Sequence, residues 1–331
     1  MKYALGNMLN GAGGLNPDGL SLDLQFATDK TLTARKGPTP VFTRATIGTF
    51  IGSDGLIQTA SINAARFDHD PVTLVCKGLL IEEQRTNDIR GSAAPATQTR
   101  TVTAVPYTLS FYGTGTIVLS GVHVATITGT GAYPARTTLT FTPTAGSLIL
   151  TITGSVTNAQ LEAGSFATSC ILTLPFAGAT RSADVCSITD ANFTSIWSGI
   201  DATMFFRGSR IANQATQTNW SLSLGSTATS IASDKGVSSE RIVANSIGII
   251  TSANFATLAE YKIATALKTG DYAASYNGAS AVTSSSAFVL TLNKMTIGSA
   301  YAANNFLNGW VHSMKFYKKR LPNAKLQTLT T

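Results

Sequence analysis

Between residues 101 and 180 the chain carries only two charges, Arg136 and Glu162, while 19 of these 80 positions are threonine. Threonine is branched at Cβ, so it is a poor helix former and packs well on a half-buried pleated surface. The stretch must therefore be β structure. Turns cut it at short intervals: Gly-Thr-Gly at 113–115, Gly-Ala-Tyr-Pro at 131–134 and Thr-Ala-Gly at 144–146. Tyr107, Leu109 and Phe111 alternate with Thr108, Ser110 and Tyr112, and further strand-like runs follow at 116–119, 122–128, 137–142 and 148–153. Strands spaced by roughly 8 to 12 residues predict a sandwich or jelly roll.

A chain of 331 residues suggests about two or three domains. Charged residues make up 12% of it. That is about half the usual share, so solubility rests on Ser, Thr, Asn and Gly. The net charge of +7 is scattered apart from Lys315, Lys318, Lys319, Arg320 and Lys325, which read as a solvated face around a terminal helix. No helix-turn-helix, basic arm or aromatic RNA platform is present, and no nucleic-acid partner is expected.

Cys76, Cys170 and Cys186 are too few and odd in number for a disulfide framework, and they read as free, buried thiols. His69, His123 and His312 are isolated and no Asp-x-Asp-x-Asp loop occurs, so neither metal nor cofactor is expected. Residues 1–9 lack the apolar run of a signal peptide, and no segment approaches 18 apolar residues, so no membrane insertion is expected.

Three units are expected: an irregular β-rich module at 1–90, a jelly roll at 91–178 and a second sandwich at 179–331. In the last, strands are predicted at 203–206, 220–224, 241–244, 247–251, 261–267, 272–276, 288–292 and 295–297, with a hairpin at Tyr276-Asn277-Gly278. Val311, Met314 and Phe316 are predicted to share one face opposite Lys315 and Tyr317. Leu321-Pro322-Asn323 then opens a short helix at 324–329.

Five segments, FTRATIGTF (42–50), RFDHDPVT (66–73), GLLIEEQRTN (78–87), AQLEAGSFATSCILT (159–173) and TRSAD (180–184), resemble, in this order, segments of bacteriophage tail-fibre, tailspike and head-fibre proteins. YTLSFYGTGTIVLSG with TLTFTPTAGSLILTITGSVTNAQLEAG resembles a carbohydrate-binding jelly roll. TIGSAY with FLNGWVHSMKFYKKRLPNAKLQTL is similar to the end of a laminin-G or concanavalin-like sandwich. The resemblance implies an all-β virion appendage in which Leu109, Phe111, Leu139, Phe141, Leu148 and Leu150 build the buried face of the jelly roll. It also implies a homo-oligomer, with a trimer expected, that contacts other virion proteins and host cell-surface polysaccharide and is exposed on the virion. Its N-terminal module would attach it to the virion or fibre.

Tyr112, Tyr133, Trp220 and Trp310 are the candidate sugar-stacking residues, because an aromatic face packs against the apolar face of a pyranose. Their burial between subunits would instead indicate an assembly or decoration role. Cleavage of the glycan needs two carboxylates facing one another. The pairs Asp68/Asp70 and Glu82/Glu83 do not fit: Asp70 precedes Pro71 and reads as a turn cap, and adjacent glutamates on a strand point to opposite faces. No Gly-x-Ser-x-Gly elbow occurs, and Gly11-Ala12-Gly13-Gly14 lacks the context of a phosphate loop. The repeating coils of a β-helix are not evident either. No enzyme is expected, with a polysaccharide depolymerase as the remaining alternative.

Overall fold

The computed structural model describes residues 18–214, 216–224, 230–245, 247–253, 255–288 and 292–331. Residues 1–9, the glycine run at 11–14 and residues 289–291 of the predicted strand at 288–292 lie outside the described residues. The fold is all-β as the sequence predicts, with three short helices among the described residues.

Residues 98–163 form the jelly roll. A four-stranded sheet, in the order Ala125–Thr128, Thr116–Gly121, Gly146–Thr153, Gln98–Val102, faces a three-stranded one, Thr137–Phe141, Tyr107–Tyr112, Thr157–Ala163. Leu109, Phe111, Phe141, Leu148 and Leu150 are buried between them, as expected, while Leu139 is half-buried at the margin. Thr108, Ser110 and Tyr112 are buried too, against the alternation. The chain after the last strand folds back over that face: Thr108 Oγ1 donates to the Gly164 carbonyl (2.8 Å), and Arg136, just before Thr137–Phe141, donates both to Ser110 Oγ (2.8 Å) and to the Thr168 carbonyl (2.6 Å).

The expected boundary near residue 90 is corrected by the strand pairing. Leu20–Leu24 and Cys76–Ile81 both pair with Gly309–Tyr317, Phe67–His69 continues that sheet, and Val41–Thr43 pairs with Val185–Thr189 in the opposing one. The first sheet runs Val282–Ser284, Tyr272–Tyr276, Tyr261–Lys268, Asp201–Arg210, Gly309–Tyr317, Cys76–Ile81, Phe67–His69. The second runs Val41–Thr43, Val185–Thr189, Lys294–Ile297, Gln217–Ser223, Ser230–Lys235, Ser239–Ala244, Ile247–Ala253. Leu22, Phe26, Leu79 and Ile81 share one core with Met204, Phe206, Met295 and Phe316. Burying an apolar face against another sheet is worth about 25 cal/mol per Å² of apolar surface, and short strands cannot do this alone. The N-terminal strands therefore complete the second sandwich instead of forming a module of their own.

Val311, Met314 and Phe316 do share the inner face. On the outer face the helix Asn323–Thr330 inserts Leu326 beside Phe205, Ala266, Ala273 and Tyr317. An unpredicted helix, Asp190–Ile196, closes one end of the main core: Phe193 and the following Trp197 meet Phe316 edge-on at 6.4 and 6.2 Å.

Candidate functional site

The five segments quoted above converge in space, between the jelly roll and the larger sandwich. Arg66 Nη1 lies 2.8 Å from Glu82 Oε2, and Arg66 Nη2 pairs with Asp184 Oδ2. Arg44 Nη1 reaches Asp184 Oδ1 at 3.1 Å, and Arg181 Nη1 reaches Glu82 Oε2 at 3.1 Å. Ser169 donates to both Glu82 oxygens, from its amide (2.7 Å) and its hydroxyl (2.6 Å). Thr168 binds Glu162 from its amide (3.1 Å) and hydroxyl (2.5 Å), and its hydroxyl oxygen accepts from Arg181 at 3.1 Å. Three arginines and three carboxylates are thus buried together, each supplied with hydrogen bonds. That is the condition for holding charge out of water.

Burial alone would raise the Glu82 carboxyl, but the charges of Arg181 and Arg66 with the Ser169 hydrogen bonds hold it at about 2. This lies below the ordinary 4.5. Its stabilisation is therefore complete above the unfolded value and is lost as pH falls through the folded one. Urea unfolding is expected to show a loss on the order of 3 kcal/mol between about pH 5 and about pH 2. A free energy that stays flat over that interval would contradict the role of Glu82.

A cleft of about 200 Å³ opens beside this knot and brings three of the four predicted aromatics together. Tyr112 and Tyr133 come from the jelly roll, with ring centroids 5.2 Å apart and planes tilted by 58°. Trp310 comes from the large sheet, and its indole Nε1 donates to Asp68 Oδ2 at 2.8 Å. Tyr133 is held from the far side, its hydroxyl donating to the Gly55 carbonyl at 2.5 Å. Lys77 places its ammonium 4.8 Å from the centre of the Trp310 ring, and Arg136 sits 6.0 Å from the Tyr112 ring centre.

Trp220 is not part of this site. It is fully buried in the main core, on the strand between Lys294–Ile297 and Ser230–Lys235. Its indole has no surface for a ligand, and the expectation that it stacks on sugar is corrected: in a central strand of a sandwich the largest aromatic fills the core. Tyr112 and Trp310 lie on strands, are only 6% and 8% exposed, and line the cleft.

Asp70 caps its own turn, accepting from the amides of Val72 (3.0 Å) and Thr73 (2.9 Å), and these bonds, Thr73 first, hold its carboxyl at about 2 against slight desolvation. Asp68 and Glu82, weighed only with their sequence neighbours, both line the cleft. Burial raises the Asp68 carboxyl, offset by hydrogen bonds from the Ile51 amide (2.6 Å) and Trp310. Both Glu82 oxygens are engaged by arginine and serine. The sequence signal for Arg136 was its isolation in the threonine-rich stretch; for Lys77 there was none. The thiol of Cys170, also on the wall, is pushed up to about 11 by burial. No group of three metal-ligating side chains occurs among the described residues.

Comparison with protein-family models gives no match, and comparison with curated proteins gives none. Among solved structures, a Trypanosoma rangeli sialidase in complex with the inhibitor DANA is similar at TM-score 0.35 and 13% identity, over 44% of this chain and 26% of that one. The CBM40 of a Ruminococcus gnavus IT-sialidase bound to α2,6 sialyllactose is similar at 0.33 and 11%, over 40% and 84%. Domain 4 of AbnA, a GH43 extracellular arabinanase from Geobacillus stearothermophilus, in complex with arabinotriose, gives 0.36 and 11%, over 50% and 81%. This chain spans about a quarter of the sialidase it matches. Likenesses this distant carry no weight for its chemistry.

Proposed function

We propose that this protein is a fibre- or spike-type virion appendage that holds a host surface glycan in the cleft between its two sandwiches without cleaving it. The observation that carries the reading is the convergence of Tyr112, Tyr133 and Trp310 on one cleft from distant parts of the sequence. Its volume is about 200 Å³. Sites for drug-sized ligands run to roughly 300–1,000 Å³, so the smaller space suits a single sugar residue. Aromatic rings supply apolar contact, while Asp68, Lys77 and Arg136 supply polar groups for hydroxyls. Against cleavage stands the full engagement of Glu82, which leaves Asp68 without a free carboxylate facing it.

The virion setting rests on the resemblance of the five segments to phage fibre proteins. One-sugar sites are weak, and a homo-oligomer, a trimer in this reading, would gain grip by avidity. A second reading, decoration or assembly without host contact, is favoured by strongly exposed apolar side chains such as Val72, Leu174 and Phe176, which are the kind of surface that partners cover.

The test is binding of the purified protein to bacterial cells and to a panel of their extracted capsular and O-antigen polysaccharides, with polymer length followed in the same samples. Retention with intact polymer supports the adhesive reading. Shortened polymer would replace it with a depolymerase, and no retention on any member with assembly.

A further inference from the structure

Arg136 is a cation in a stretch almost free of charge, and its donors are only partly used. A guanidinium offers five N–H groups. Nη1 donates to the Thr168 carbonyl at 2.6 Å and Nη2 to Ser110 Oγ at 2.8 Å, both neutral acceptors. Its Nε is buried without a partner among the described residues. Beside it stands Tyr112, only 6% exposed, whose hydroxyl makes no hydrogen bond to the described residues. The acids of the lining are already matched: Glu82 by Arg66, Arg181 and Ser169, Asp68 by the Ile51 amide and the Trp310 indole. The other cation of the lining, Lys77, is paired with Asp70 at 3.4 Å, so the unmatched positive charge and the unused donors of the lining are those of Arg136, with Tyr112 beside it.

Resting on the glycan reading and narrowing it, we propose that the cleft takes an acidic glycan, with an anionic group of one sugar residue docked on Arg136 and the Tyr112 hydroxyl and the sugar ring against Tyr133 and Trp310. The shared chemistry is a carboxylate or a phosphate. A charge-assisted hydrogen bond to guanidinium is stronger than a neutral one, and a half-used arginine beside an unpartnered phenol is built for it.

The test uses immobilised polygalacturonate and polysialate, their carboxyl-reduced forms, polyribitol phosphate and neutral dextran. The net charge of +7 attracts any polyanion. Lys318→Gln, at an exposed lysine away from the cleft lining, therefore serves as the charge-matched control. Binding to an anionic polymer is expected, about tenfold or more weaker in Arg136→Gln but unchanged in Lys318→Gln. Loss on carboxyl reduction assigns a carboxylate, and retention on the ribitol polymer alone assigns a phosphate. Should Arg136→Gln fail to fold, Tyr112→Phe removes only the hydroxyl and is expected to weaken binding in the same direction. Equal binding to neutral and anionic polymers, or equal effects of Arg136→Gln and Lys318→Gln, overturns the acidic specificity and leaves the glycan reading standing. Absence of binding here and to the wider polysaccharide panel overturns both.

Discussion

Arg66→Met is expected to lower the unfolding free energy by about 3–5 kcal/mol, because it leaves Glu82 and Asp184 buried with one cation fewer. Methionine keeps much of the volume, so the loss reports charge and not a cavity. Arg66 also donates to the Thr49 carbonyl (2.8 Å) and to Ser169 Oγ (2.7 Å), and both acceptors lose that donor in the variant. For a chain of this size the melting temperature should fall by about 4–7 °C. Arg35→Met breaks a solvent-exposed pair with Asp29. Such pairs contribute little, so the midpoint should stay where it is. Similar midpoints for the two variants would mean that the buried knot does not hold the sandwiches together.

Tyr133→Ala is expected to weaken glycan binding by roughly 30-fold, the effect of losing one aromatic contact worth about 2 kcal/mol. The side chain is half-buried and its hydroxyl bonds to Gly55. That bond contributes about 1 kcal/mol, so the variant should remain folded. Tyr133→Phe separates the two effects: it keeps the ring, loses the bond to Gly55 and is expected to bind nearly as the parent does. Titration calorimetry against the polysaccharide retained in the panel gives the comparison. Unchanged affinity in Tyr133→Ala would remove the cleft from the binding surface.

Much of the jelly roll was legible because its core follows strand alternation, which is local: Leu109 and Phe111, then Leu148 and Leu150, face inward as their spacing requires. The terminal helix and the facing of Val311, Met314 and Phe316 were legible for the same reason. Alternation misled at Thr108, Ser110 and Tyr112, since whether the second face of a strand meets water depends on a segment folding back from residues 164–170. It could not separate Trp220 from Trp310 either. Both sit on β strands, but one faces the inside of a sandwich and the other a seam between two.

The amino-acid sequence by itself determined the β class and the core of the jelly roll, because side-chain branching, turn residues and period-two patterning act over a few residues. The tertiary structure alone decided that Leu20–Leu24, Val41–Thr43, Phe67–His69 and Cys76–Ile81 complete the second sandwich, and that Asp68 and Trp310, 242 positions apart, share a hydrogen bond beside Tyr112 and Arg136. The physical reason is that buried charges and strand edges must find partners wherever the chain can supply them, and at this seam the partners are distant in sequence.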